Sequence, residues 1–190
     1  NGHLKGELNS KKTLSFDVDF NAENSSLEDL ENNLKFTKVN LTGSFNNKQE
    51  HLIINQFSTY LETHLISGNI QLKDFNNPKY LLNLKGGIDL AILKKVVQNK
   101  DLDLEGFANF NFNSNISSNN NNTIIETISG SLNGDQLEIK YPKENIYLKT
   151  SDFDIHLAKD FMNITLEKSI FNGDTFSIDA NWDNWYDFVY

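Results

Sequence analysis

Apolar side chains recur at every second position along most of this chain. Leu14, Phe16, Val18 and Phe20 form one such run, and Tyr80, Leu82, Leu84, Ile88 and Leu90 form another with Asn83, Lys85 and Asp89 between them. Ile70 and Leu72 continue the rhythm, as do Ala108, Phe110, Phe112 and Ile116. Later runs are Leu137, Ile139 and Tyr141; Phe153, Ile155 and Leu157; Met162, Ile164 and Leu166; and Phe176, Ile178, Ala180 and Trp182. Successive strand side chains point to opposite faces, so period two describes strands with one apolar and one polar face. The pattern predicts an all-β, mainly antiparallel protein. Gly68-Asn69, Asn133-Gly134 and Asn172-Gly173 are expected to supply the positive φ of tight hairpin turns.

Helical signals are sparse. Ser26 is placed to cap a short helix with Glu28 and Asp29 in its first turn, and Leu90, Leu93 and Val97 share one face of a second, beside Lys94 and Lys95. Neither is long enough to cover a large sheet. The polar run Ser117 to Asn122 lacks apolar residues to offset the entropy of ordering, and is expected to be a mobile loop. Leu4-Lys5-Gly6-Glu7-Leu8-Asn9 is echoed by Leu104-Glu105-Gly106-Phe107-Ala108-Asn109. The echo suggests a β module over 1–105, with its short helix near 90–98, and a second, incomplete module over 106–190 of the same continuous sheet.

Composition narrows the function classes. Hydrophobic residues at 38% and charged residues at 23% suit a globular chain, and no apolar run approaches the ~20 residues of a spanning helix. A net charge of -9, without any Lys/Arg cluster, argues against a nucleic-acid partner. The absence of cysteine removes disulfides and thiolate metal sites. Because Asn1-Gly2-His3-Leu4 already reads as strand, the chain is expected to be a piece of a longer protein, its targeting or anchoring segment lying outside.

Candidate chemistry is thin. His3, His51, His64 and His156 match no metal-ligand spacing. Asp17 with Asp19, Asp101 with Asp103, and Asp152 with Asp154 each place two carboxylates on one strand face, but the apolar residues between them make solvated outer faces the simpler reading. No glycine-rich phosphate loop, nucleophile elbow or acid/base set is present, so neither an enzyme nor a cofactor is expected. The aromatic cluster Trp182, Trp185, Tyr186, Phe188 and Tyr190 could stack on sugars, meet a lipid interface, or pack as a last strand.

The string Leu82-Asn83-Leu84-Lys85-Gly86-Gly87-Ile88-Asp89-Leu90-Ala91-Ile92-Leu93, followed by Leu102-Asp103-Leu104-Glu105-Gly106 and an alternating strand, resembles the C-terminal repeat of AsmA-like proteins, including those of Bacteroidetes. Gly68-Asn69-Ile70-Gln71-Leu72-Lys73-Asp74-Phe75 with Pro78 fits the segment that precedes it, so the likeness covers about Leu52 to Phe112. It implies a strongly curved, elongated, groove-like sheet in the periplasm of a Gram-negative cell, tethered to the inner membrane by a segment outside this chain. It also implies phospholipid acyl chains as partners, carried toward the outer membrane. The groove-lining candidates are Leu14, Phe16, Val18, Phe20, Leu82, Leu84, Ile88, Phe110 and Phe112. The alternative is a cell-surface β-sandwich binding carbohydrate or protein, with Trp182, Trp185 and Tyr186 as first candidates.

Overall fold

The computed structural model describes residues 2–8, 14–97, 101–119 and 122–185. Its strands are β1 (Gly2–Leu8), β2 (Leu14–Asp29), β3 (Leu34–Asn46), β4 (His51–Leu61), β5 (His64–Lys73), β6 (Lys79–Asp89), β7 (Asp103–Asn119), β8 (Asn122–Tyr141), β9 (Ile146–Ala158), β10 (Phe161–Phe171) and β11 (Asp174–Asp183). One helix, α1 (Ala91–Val97), follows β6, and a 3-10 turn (Pro142–Glu144) links β8 to β9. The strands form one 11-stranded sheet in chain order, which does not close on itself. This all-β, antiparallel architecture is what the alternation predicts, laid out as one sheet.

Irregularities in the ladder mark where strands bend. Lys38 (φ 49) falls between the paired positions Thr37 and Asn40, and Lys168 (φ 48) between Leu166 and Ser169. An extra residue frees a ladder carbonyl and sharpens the local twist. At both places a buried threonine meets the freed group: Thr59 Oγ1 donates to the Thr37 carbonyl at 3.1 Å, and Thr150 Oγ1 lies 2.7 Å from that of Glu167. Around Lys168 the disturbance spans several strands. Asp135 faces Asp152 and Leu137 faces Thr150, which sets Gln136 (φ 55) across from Ser151; Glu167 facing Asp152 sets Lys168 across from the same serine. Gly106 (φ 118) completes the row, its α-carbon so close to β8 that a Cβ would stand 2.7 Å from the Gln136 carbonyl oxygen.

The sheet gathers into two compact units that cut across strands. Unit 1 comprises Asn1–Glu28, Lys35–Leu84 and Asn113–Ile128; unit 2 comprises Asp29–Leu34, Lys85–Phe112 and Ser129–Tyr190. The helix expected from Leu90, Leu93 and Val97 is α1, which Asp89 starts by accepting the Ala91 N–H on Oδ1 at 2.9 Å. The helix expected at Ser26 does not form, because Ser26 continues β2, and Asp29 instead closes the turn to β3 by accepting from Glu31, Asn32 and the Asn32 side chain. Ser117 to Asn119 likewise extend β7, and Asn122 begins β8, where a loop was expected. Backbone pairing outruns the polar composition there: the Ser118 N–H donates to the Pro78 carbonyl at 2.8 Å. Residues 120 and 121 lie outside the described residues.

Of the three glycine-asparagine pairs, only Asn172-Gly173 is a turn, with φ of 49 and 99. Gly68 sits inside β5 and Gly134 inside β8. Both serve close approach: a Cβ on either would come within 2.0 Å of a carbonyl oxygen, that of Asn83 or Phe107 respectively.

Candidate functional site

In unit 1 the register of β3, β4 and β5 aligns apolar residues in rows across the sheet. Phe45 faces Leu52, which faces Leu72; Gly43 faces Ile54, which faces Ile70; Leu41 faces Phe57, which faces Gly68. Phe20 from β2 lies on this face with its ring over Gly43, 2.6 Å from where a Cβ would be. Phe16 joins it through Phe45, ring centroids 5.6 Å apart. Val18 shares their parity on β2, and Leu82 and Leu84 theirs on β6, with Asn83 turned the other way to bond Asn69. Leu14 belongs to β2 and pairs with Leu8. The face is built from Phe, Ile, Leu and Val, yet these side chains are only half-buried. Among the described residues of unit 1, the buried side chains are those of Thr59 and Leu61.

Unit 2 treats the same kind of face differently. Leu90, Ala108, Leu137, Phe153 and Leu166 form a buried cluster, with Ile88, Leu93, Leu104, Leu132, Ile139, Leu148, Ile155, Ile164, Phe176 and Ile178 packed around it. Leu93 from α1 meets this cluster, Ile92 is only 3% exposed, and the Leu90 N–H is tied to the Gly106 carbonyl at 2.9 Å. The structure therefore separates the nine groove candidates. Leu14, Phe16, Val18, Phe20, Leu82 and Leu84 fall in unit 1, whereas Ile88, Phe110 and Phe112 fall in unit 2. Ile88 packs against the closed core, and Phe110 stacks on Phe112 at 6.0 Å, the latter lying against Gly130.

Sequence reasoning passed over several members of the unit 1 face: Phe45, Leu52, Ile54, Phe57 and Phe75. For Leu52, Ile54 and Phe57 the reason is a bulge in β4 between Ile54 and Phe57, which moves the apolar set from even to odd positions. Strict alternation loses the strand there. Phe75 lies beyond β5 altogether, in a loop, and stacks on Phe45 at 5.7 Å with the rings 7° from parallel.

The polar side of unit 2 carries a cleft of about 460 Å³ lined by Phe107, Asn109, Asn133, Asp135, Asp152, Asp154, Thr165 and Glu167. Phe107 lines this side, and its ring occupies the space left open by Gly87. Asp154 Oδ1 is enclosed and lies 3.2 Å from His156 Nε2. Nearby, Glu138 lies between Lys140 at 2.6 Å and Lys149 at 3.3 Å. The hydrogen bond from Lys140 is the main cause that holds the Glu138 carboxyl below its usual range and the Lys140 ammonium above its own. Asp103 is likewise held low by its hydrogen bond with Lys94. These groups offer charge pairs on a solvated surface. Among the described residues no cluster of three or more His, Asp or Glu is arranged to hold a metal ion.

The C-terminal aromatics divide. Trp182 on β11 is 40% exposed, whereas the Trp185 indole donates to the Ala158 carbonyl at 2.7 Å and is half-buried. Trp185 is thus fastened to the sheet; Tyr186, Phe188 and Tyr190 lie outside the described residues. No helix among the described residues is long and apolar enough to cross a membrane. Comparison with protein-family models, with curated proteins and with solved structures finds no match to this chain.

Proposed function

We propose that the apolar face of unit 1 binds the acyl chains of phospholipids. In this reading the chain is a periplasmic section of an AsmA-like envelope protein, one that moves lipid between inner and outer membranes and is anchored through a segment not in this sequence. One observation supports it above the others: side chains as apolar as Phe20, Ile54, Ile70 and Leu84 are aligned on one face and left only half-buried. Contiguous apolar surface of this kind marks a binding surface more often than a solvated one. Each methylene of a hydrocarbon laid on it contributes on the order of 0.8 kcal/mol when fully buried, and no polar group is needed for recognition. Lipids differing in headgroup would then bind alike. The resemblance of Leu82 to Gly106 to the AsmA-like repeat points the same way.

The test is native mass spectrometry of the purified protein before and after incubation with phospholipid vesicles. Wild type should carry phospholipid adducts, and Leu84→Asp, which sets a carboxylate on the face, should lose most of them while keeping its strand content by circular dichroism. A wild-type protein that emerges lipid-free from vesicles would overturn the reading.

A further inference from the structure

We infer that Phe75 is a retaining lip for hydrocarbon on the unit 1 face, and that Glu50 is the positioning residue that holds it there; the inference rests on the lipid-binding reading above. Phe75 is 39% exposed and sits in the connection between β5 and β6. An exposed phenylalanine in a loop of this kind has little reason to be fixed for stability alone. Yet the loop is bound at every residue from Asp74 to Asn77. The Asp74 N–H donates to the Glu50 carbonyl at 3.0 Å, the Phe75 N–H to Glu50 Oε2 at 3.0 Å, and the Asn76 amide to Glu50 Oε1 at 3.3 Å. The Asn77 N–H completes the set on Asp74 Oδ1 at 3.0 Å. Both oxygens of one carboxylate are committed to this single loop. Glu50 itself takes a left-handed backbone (φ 53), uncommon for a residue with a side chain, at the turn into β4.

The consequence is a row of three rings. Phe75 lies parallel on Phe45, and Phe45 leans on Phe16, so that aromatic side chains border the face where the row Phe45, Leu52 and Leu72 ends. Beyond this row begin the polar turns around Asn47 to Glu50. A hydrocarbon on the face has no hydrogen bond to anchor it. Its residence time therefore depends on what stands at the border, and the flat faces of stacked rings supply dispersion contact there.

The experiment is the exchange of a fluorescent-acyl phospholipid from the loaded protein to excess unlabelled vesicles, followed by stopped flow. Phe75→Ala should speed release about three- to tenfold, the scale of one aromatic contact. Glu50→Ala should reproduce much of that change, and Phe75→Leu should restore most of the slow exchange. Melting temperatures should stay close to wild type, because the side chain is already part-exposed; a large drop in Phe75→Ala would assign Phe75 a structural role and overturn the inference. Wild-type loading with unaltered release from Phe75→Ala would overturn it too, leaving the lipid-binding reading in place. A wild type that never takes up the labelled lipid would remove both.

Discussion

Units 1 and 2 are built from the same alternating strands of one sheet, yet they dispose of their apolar faces in different ways. In unit 2 a seven-residue helix lies at the sheet, and Leu90, Ala108, Leu137, Phe153 and Leu166 become a buried core. Among the described residues unit 1 has no helix, and its rows of Leu, Ile and Phe stay only half-buried. Alternation thus makes a face without deciding what covers it. The sharpest break of this comparison is a pair of truncations. Phe153→Ala should cost about 3–5 kcal/mol in urea unfolding, as expected when a ring leaves a cavity in a closed core. Ile54→Ala removes a residue that is already part-solvated and should cost about 1 kcal/mol, below the range for a fully buried isoleucine. Equal losses would mean that unit 1 is as sealed as unit 2, and the proposed lipid face would lose its premise.

A smaller effect is expected where the two units agree. Each has a threonine hydroxyl answering a carbonyl at a bulge, Thr59 in unit 1 and Thr150 in unit 2. Valine in place of threonine keeps the volume and deletes the hydroxyl, so the difference isolates the hydrogen bond. Thr59→Val and Thr150→Val should each cost about 1–2 kcal/mol, the scale of leaving one buried acceptor unsatisfied. Thr150 is fully buried, but Ser151 Oγ also stands 3.2 Å from the Glu167 carbonyl and can take up part of the loss. A neutral Thr59→Val beside a costly Thr150→Val would show that water already serves the bulge in unit 1, which sharpens the contrast between an open and a sealed region.

The fold was legible because its signal is periodic and repeated. Tyr80 to Leu90 reads as a strand running through Gly86-Gly87 and β6 does so, and the Leu90, Leu93, Val97 spacing marks α1. What escaped was set by non-local geometry. Gly68 and Gly134 look like turn residues by type, but they are glycines because a neighbouring strand comes too near for a Cβ. Ser26 has the chemistry of a helix cap, and Leu27, Leu30 and Leu34 follow it at helical spacing, but β2 carries on through Ser26 as strand, leaving Leu27 and Leu30 exposed and only Leu34 buried. The surface site was legible only in part. Phe16, Phe20, Leu82 and Leu84 obey alternation and were found, while Ile54 and Phe57 straddle a bulge that no local pattern announces. Ile88 obeys it as well and yet packs, partly buried, against the closed core of unit 2, since which stretch of a face a short helix covers depends on the path of the chain after β6.

The smallest expected effect concerns charge on the polar side of unit 2, where Glu138 is 14% exposed between two lysines. Its carboxyl is held below the ordinary value, chiefly by the hydrogen bond from Lys140 and then by that from Lys149, both opposed by desolvation. A group whose folded pKa is depressed favours folding at pH above its unfolded pKa, about 4.3 for a glutamate, and loses that contribution as pH falls through the folded value. Lys140 has the opposite sign: its pKa is raised, so its share persists below the ordinary lysine value and fades as pH climbs through the raised one. Glu138→Gln should therefore be slightly less stable than wild type near neutral pH, and the gap should close in acid as the wild-type carboxylate takes up its proton. Part-exposed pairs are screened by salt, so the gap should also narrow at high ionic strength. A gap independent of both pH and salt would mean that Glu138 acts through the packing of its side chain in the strand rather than through its charge.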